Sequence, residues 1–316
     1  MRTYFRNRIG FTMVRGGLII DLQKSLAKAG VLAPSVDGKY GGQTAAALRI
    51  WQASKGLPVS GEVDELSWTA LVGGKPSIFR RCLSLTAAFE GHGYTFAAGN
   101  WDGALVTWGI VGFTLAGGNL QKVINTIDTR YPALLAEALG MEKSSELRMI
   151  IKQPKAQQAT WANSISAPPK KYRLRADWAE AFENLGNRPE ARLVQDEVAR
   201  DPYWKRAVQD MRKYGKPSEA DCALFFDTAV QNGGVGSTKG AAINKALQQN
   251  PGIGDRTRLS LIADAIADNS SPKFASDVRS RRQCIAKGDG PVHGATYKVE
   301  DWGIDLMSVG ETDLAG

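Results

Sequence analysis

Histidine, cysteine and long apolar runs are scarce in this 316-residue chain, and each shortage removes a class of function. The two histidines, His92 and His293, supply a zinc site poorly, so no metal and no other cofactor is expected. The three cysteines, Cys82, Cys222 and Cys284, are odd in number and far apart, which suits buried reduced thiols better than a disulfide framework. A nucleophilic pair of Cys82 or Cys284 with histidine has no supporting pattern. No run is long and apolar enough to cross a bilayer, so stable membrane insertion is not expected. The opening MRTYFRNRIGFTMVRGG is basic but lacks the apolar core of a signal peptide, so exit by the general secretory route is not expected, and residues 1–13 read as a poorly ordered extension. Lys and Arg form no run of the kind that marks a nucleic-acid arm, and no DNA- or RNA-reading module is visible.

What is present is an ordinary apolar fraction of 43% with a formal net charge of +8 and an isoelectric point near 9.3. That charge calls for an anionic partner: nucleic acid, an acidic membrane surface or a bacterial wall rich in phosphate and carboxylate. Residues 1–75 hold ten Lys/Arg against five Asp/Glu, while the remainder holds thirty against twenty-seven. The positive excess is therefore N-terminal.

Residues 14–73 read as a separate small unit of three helices, LIIDLQKSLAKAG, GGQTAAALRIWQASKG and DELSWTALV, the last opened by Asp64 as a cap. The turns between them repeat. VDGKYGGQTAAAL and VSGEVDELSWTAL, 23 residues apart, share a Gly, an apolar residue two positions on, and a Thr or Ser four further along. Two copies of one turn-helix unit packed on the first helix are expected. VGGKPS is linker chemistry and puts the boundary at 74–77. From residue 78 to 316 the spacing predicts helices over 78–90, 118–128, 132–139, 144–152, 176–185, 189–213, 218–232, 239–248, 256–267 and 272–286. ALVTWGIVGFTLA, rich in β-branched and aromatic residues, is the candidate β-hairpin region.

One stretch raises a chemical question. LTAAFEGHGYTF ends an apolar helix with a carboxylate, Glu90, followed by Gly91 and Gly93. Glu90 continues the stripe Phe79, Leu83, Thr86, although a helix C-terminus mildly disfavours negative charge. Both placements disfavour its ionised form, which suits a proton donor. A solvated helix end is the plain alternative. Asp102, in the polar, glycine-flanked NWDGA, should stay solvated and ionised, or is simply a turn residue. Trp101, Trp108 and Trp178 are either sugar-stacking faces or core. GGVGSTKG has the composition of a phosphate loop in the wrong order and reads as a helix-helix turn.

The N-terminal unit resembles the small three-helix peptidoglycan-binding domain attached to many cell-wall hydrolases, through Leu22-Gln23, DGKYGGQT, Trp51-Gln52, KGLPVSGEV, and Trp68 with Leu71. The resemblance implies a groove for wall peptide or glycan beside Asp37, Gly38, Gly41 and Thr44, with Tyr40 and Trp51 as flat apolar faces. The alternative is that these residues make a turn and the tryptophans are core.

Residues 89–124, FEGHGYTFAAGNWDGALVTWGIVGFTLAGGNLQKVI, resemble the catalytic segment of the chitosanase branch of the lysozyme superfamily, and FFDTAVQNGG resembles its long internal helix. The resemblance implies a general acid at Glu90, the second carboxylate at Asp102 and a water-positioning Thr107. Tyr94, Trp101, Trp108, Asn119 and Asn232 are then candidate substrate contacts. Two departures stand out: Glu90 and Asp102 are separated by only twelve residues, and Asn119 stands where those enzymes usually carry an acidic substrate contact. The second argues against a polycationic substrate. GDGPVHGATYKVEDWGIDL resembles the terminal segment of phage-type wall hydrolases.

The expectation is a mainly α protein, a small three-helix binding domain followed by a larger lysozyme-like helical domain with a short β-hairpin region. Its expected activity is hydrolysis of peptidoglycan glycan, of muramidase type, by a phage endolysin that waits in the host cytoplasm for a holin-made hole and then acts on periplasmic peptidoglycan as a monomer. A chitosanase with an accessory module and a non-catalytic wall-binding protein are the rivals. Inverting, retaining and lytic chemistries all stay open, since carboxyl separation decides among the first two.

Overall fold

The computed structural model describes residues 2–32, 36–91 and 93–315, so the reading of His92 lies outside the described residues. In chain order the elements are β1 (Thr3–Phe5), α1 (Gly17–Lys28), α2 (Gly42–Ser54), β2 (Val63–Asp64), α3 (Glu65–Leu71), α4 (Ile78–Phe89), β3 (Ala97–Ala98), β4 (Thr107–Trp108), β5 (Phe113–Thr114), α5 (Asn119–Arg130), α6 (Leu134–Leu139), α7 (Met141–Ile150) and α8 (Lys155–Ile165). There follow α9 (Ala176–Asn187), α10 (Pro189–Ala199), a π turn, α11 (Lys205–Tyr214), α12 (Glu219–Asn232), α13 (Ser237–Gln249), α14 (Asp255–Asp268), α15 (Ala275–Lys287), β6 (Asp289–Val292), β7 (Ala295–Lys298), a 3-10 turn and α16 (Glu311–Ala315). The protein is mainly helical with three small antiparallel sheets among the described residues. The sequence-predicted helix over 189–213 is two helices interrupted by the π turn Arg200–Trp204.

Two compact units emerge: residues 1–89 with 203–316, and residues 90–202. The cut does not follow the 74–77 linker. In the first unit the three-helix region groups with α4, because Arg80 ion-pairs Asp21 at 2.6 Å and Gly16 lies so close to Ser84 that a side chain would collide. The expected loose extension is corrected as well. β1 pairs antiparallel with β2, Tyr4 and Phe5 are buried, and the arginines are anchors: Arg2 pairs with Glu219, Arg6 with Glu62 at 3.1 Å, and Arg8 with Asp301 at 3.1 Å. Much of the N-terminal positive excess is thereby neutralised within the fold.

The repeated turns are built alike down to the atom. Gln23 of α1 donates through Nε2 to Lys39 O and Thr44 Oγ1 while its Oε1 accepts from Gly38 N at 2.8 Å. Gln52 of α2 does the same 23 residues later in the turn, donating to Glu62 O and Ser67 Oγ and accepting from Gly61 N at 2.9 Å. Gly38 and Gly61 both adopt left-handed backbone, φ 74° and 69°, which a side chain would strain. Tyr40 and Val63, the apolar residues two positions on, are both fully buried. A buried amide satisfied on both its ends locks each turn, since each unmade bond there would cost about 1–3 kcal/mol.

Elsewhere in the first unit α4 is buried on nearly every face, from Ile78 and Phe79 through the run Arg81–Phe89, so it is a central helix and not an amphipathic one. Beside it Asp227 of α12 forms a fully buried ion cluster with Arg281 and Arg282 of α15. Burial alone would raise the Asp227 pKa, but the two guanidiniums and the Thr86 hydroxyl hold it below the usual carboxylate value. The three cysteines are buried free thiols whose pKa values burial pushes up, Cys284 to about 12, which removes them as nucleophiles. The glycine-rich 233–236 segment closes α12 at Gly233 and opens α13 at Gly236, a helix-helix turn as expected.

The second unit packs α5 to α10 around a core containing Trp108, Trp161, Trp178 and Phe182, with β3-β4-β5 as a sheet of two-residue strands. α8 was not expected from the sequence: its buried positions Gln158, Trp161, Ala162 and Ile165 keep helical spacing, but one of the four is polar.

Candidate active site

At the last turn of α4, carbonyls without a helical partner must find donors elsewhere. The β6–β7 hairpin supplies them. Tyr297 Oη donates to Ala88 O at 2.9 Å, and His293 Nδ1 lies 2.8 Å from Phe89 O, with its Nε2 on the Asp277 carboxylate. The Phe89 ring stacks edge-on against Tyr297 at 4.9 Å, and the Arg281 guanidinium sits 5.7 Å over its face. The helix end that leads into Glu90 is thus held by hydrogen bonds, an aromatic contact and a cation. This answers the awkward placement of the acid: donors and a cation compensate the electronegative helix terminus.

Glu90, the next residue, is half-buried and opens the second unit, followed by Gly91 in left-handed backbone. Asp102 belongs to the same unit but to a different environment. It is exposed, and its Oδ1 accepts from Ala104 N at 3.0 Å, an Asx turn that leaves the other oxygen to solvent. Asn100 braces this loop: its Oδ1 accepts from Leu105 N at 3.2 Å and its backbone N donates to Ser166 Oγ at 2.9 Å. Leu105 is held at φ 68°. Thr107 lies in the central strand β4, half-buried, with its backbone opposite Ala98 and Thr114.

The buried Gln195 of α10 ties the loops of this unit together, donating to Tyr94 O at 3.1 Å and accepting from Ile110 N at 2.9 Å. A side chain at Gly109, φ 89°, would collide with its amide. Neither Gln195 nor the Asn100 brace was found by reading the sequence, because each acts on residues far along the chain. The clamp residues His293 and Tyr297 lie more than 200 residues from the helix end that they hold, out of reach of any local pattern.

Several expected contacts are corrected. Trp108 is fully buried with Nε1 donating to Phe182 O at 3.1 Å, so it is core and not a stacking face. Trp178 is core against Trp161, ring centres 5.2 Å apart. Tyr94 is buried with its hydroxyl on Asp196 at 2.8 Å. Asn232 belongs to the first unit and its Oδ1 accepts from Arg282 at 2.9 Å. In the small domain Tyr40 and Trp51 are buried, Tyr40 donating to Gly61 O at 2.7 Å, so neither offers a flat face. The exposed positions of that turn are Asp37, whose Oδ1 accepts from Gln23 and Lys39 N, and Lys39; Gly41 is half-buried and Thr44 is inside the Gln23 network. Trp101 remains exposed, and Asn119 is half-buried at the start of α5.

Residues 15–71 match the model of the peptidoglycan binding domain family. The match spans α1 to α3 and stops short of α4. No curated protein matches the chain. Among solved structures it is similar to a mutant chitosanase from Bacillus subtilis complexed with six GlcN units, at 21% identity and TM-score 0.49, over 72% of this chain and 98% of that one. It is also similar to the chitosanase of Gynuella sunshinyii in complex with chitotetraose, at 15% identity and TM-score 0.48, over 71% and 98%. Likeness at this level assigns neither a residue nor an activity.

Proposed function

We propose that this chain is a cell-wall glycan hydrolase, of muramidase type, that the peptidoglycan-binding domain holds on its substrate. The observation that carries the reading is the pair of unlike carboxyls: Glu90 half-buried at the end of a clamped, buried helix, and Asp102 exposed in a polar turn. Glycoside hydrolysis needs this asymmetry, one carboxyl to protonate the leaving oxygen and one ionised to activate water or stabilise the oxocarbenium-like transition state. Glu90 takes the first role and Asp102 the second. Thr107 positions the water, and Trp101 and Asn119 contact the glycan. A separation of the two carboxyls that admits a water, about 6.5–9.5 Å, would make the reaction inverting.

The family match over residues 15–71 supports peptidoglycan as the partner. The biological role that follows is lysis of a host cell by a phage enzyme that reaches the wall from the cytoplasm. Asn119 in place of an acidic contact favours the wall over chitosan.

Mass spectrometry of digested sacculi tests the reading. New reducing N-acetylmuramic ends, absent with Glu90→Gln, support it. Release of reducing sugar from chitosan but not from sacculi moves the chain to the chitosanases. Unchanged turbidity loss of permeabilised cells with Glu90→Ala, where the unaltered chain lyses them, removes the catalytic role of Glu90.

A further inference from the structure

We infer that the loop between α8 and α9, residues 166–175, is a glycan subsite selective for carboxylate-bearing strands, an inference that rests on the reading of the chain as a wall-glycan hydrolase. The loop is a small closed hairpin. Ser166 bridges Leu174, Ala167 N donates to Arg173 O at 2.7 Å, and Lys171 N donates to Ala167 O at 3.0 Å. It is fastened to the segment that carries Asp102: Gly99 N donates to Tyr172 O at 3.0 Å, Asn100 N to Ser166 Oγ at 2.9 Å, and Asn100 Nδ2 to Asn163 Oδ1 at 3.1 Å. The approach at Gly99 is close enough that any side chain there would strike the Lys171 carbonyl.

Two features of this joined surface point to a ligand. Trp101 and Tyr172, 56% and 51% exposed, stand 5.7 Å apart at 61°, and a pair of large aromatics left in water is the face on which the apolar side of a pyranose stacks. Around them Lys170, Lys171, Arg173 and Arg175 occupy four of six successive positions. Arg175 is paired with Asp177 at 3.1 Å and Lys171 donates to Asn163 at 2.8 Å, but Lys170 and Arg173 are exposed with no acidic partner among the described residues. Aromatics alone would accept any β-linked hexosamine. Unpaired cations in the same loop repel a chain of glucosamine ammonium groups and attract the lactyl and peptide carboxylates of peptidoglycan over a screening length of about 8 Å.

The test measures binding calorimetrically on the full-length Glu90→Gln chain, which should not consume its ligand. Three soluble probes are compared: uncrosslinked peptidoglycan strands, N-acetylglucosamine hexamer and glucosamine hexamer. The expected order of affinity is peptidoglycan, then the neutral hexamer, then the cationic one. Lys170→Glu with Arg173→Glu should weaken the strands about tenfold, leave the neutral hexamer within about twofold and strengthen the cationic one. Trp101→Ala with Tyr172→Ala should weaken the neutral hexamer about tenfold. The peptidoglycan-binding domain is the same in every variant, so differences between them report the loop. Circular dichroism verifies folding of these surface variants. Charge reversal that moves all probes equally or none, or tightest binding of the cationic hexamer by the Glu90→Gln parent, overturns the inference. Failure of the hydrolase reading is separate: the chain then leaves sacculi intact whatever the order of binding.

Discussion

The end of α4 and the loop that carries Asp102 both present a carboxyl, and they are built by opposite means. The helix end is placed by burial: its last residues are inside the core, Phe89 is packed between Tyr297 and Arg281, and both terminal carbonyls are hydrogen-bonded to side chains of a hairpin more than 200 residues away. The Asp102 loop is placed by short polar bonds at the surface, an Asx turn of its own and the Asn100 amide. A segment set by a packed core is hard to move, while one set by a solvated turn adjusts to a ligand. The roles proposed for Glu90 and Asp102 rest on that difference in placement.

The comparison breaks or sharpens at four places. Glu90→Gln should cut turnover of sacculi by about 10²–10⁴, and Asp102→Asn, which keeps the Ala104 bond, by about 10². Equal, negligible losses at both positions would leave the two carboxyls without a catalytic difference to explain. Next, Asp227→Asn removes the buried carboxylate that two buried guanidiniums share and should cost about 3–5 kcal/mol in a denaturant titration. The pH dependence has a definite sign. Because the folded Asp227 holds its proton less tightly than an ordinary carboxylate, its contribution is fully present above about pH 4 and lost as pH falls through the lowered value. Acid unfolding of the Asn variant should therefore lack part of the stability gain seen on raising the pH through that range.

Gly109→Ala comes third, at about 1–3 kcal/mol, because it combines φ 89° with a collision at Gln195. Thermal melts read the loss directly. The smallest effect is expected of Tyr297→Phe, about 1–2 kcal/mol for a buried carbonyl left without its donor. If the hairpin positions the helix end, this variant also lowers kcat more than it changes KM. A stability loss with unaltered kcat would confine the clamp to folding.

Helix spacing and the repeated turns were legible because they are local. Residues three and four apart share a helix face, and the matching Gly, apolar and hydroxyl positions of the two turns are all within a dozen residues of each other. α8 escaped because a polar residue, Gln158, holds one of its core positions. The aromatic candidates were the least legible. Trp101 and Trp108, seven residues apart in one glycine-rich segment, differ in the structure by 56% against complete burial, and nothing nearby in the chain separates them.

By itself the sequence determined the helical periods, the duplicated turn, the basic balance and the presence of an acid where an apolar helix stops. The tertiary structure alone decided which aromatics face water, how the arginines of residues 2–8 are spent on ion pairs, and what holds the end of α4. The physical reason is range: propensity and periodicity act within a turn or two of helix, whereas burial and the satisfaction of buried polar groups depend on partners that folding brings from distant parts of the chain.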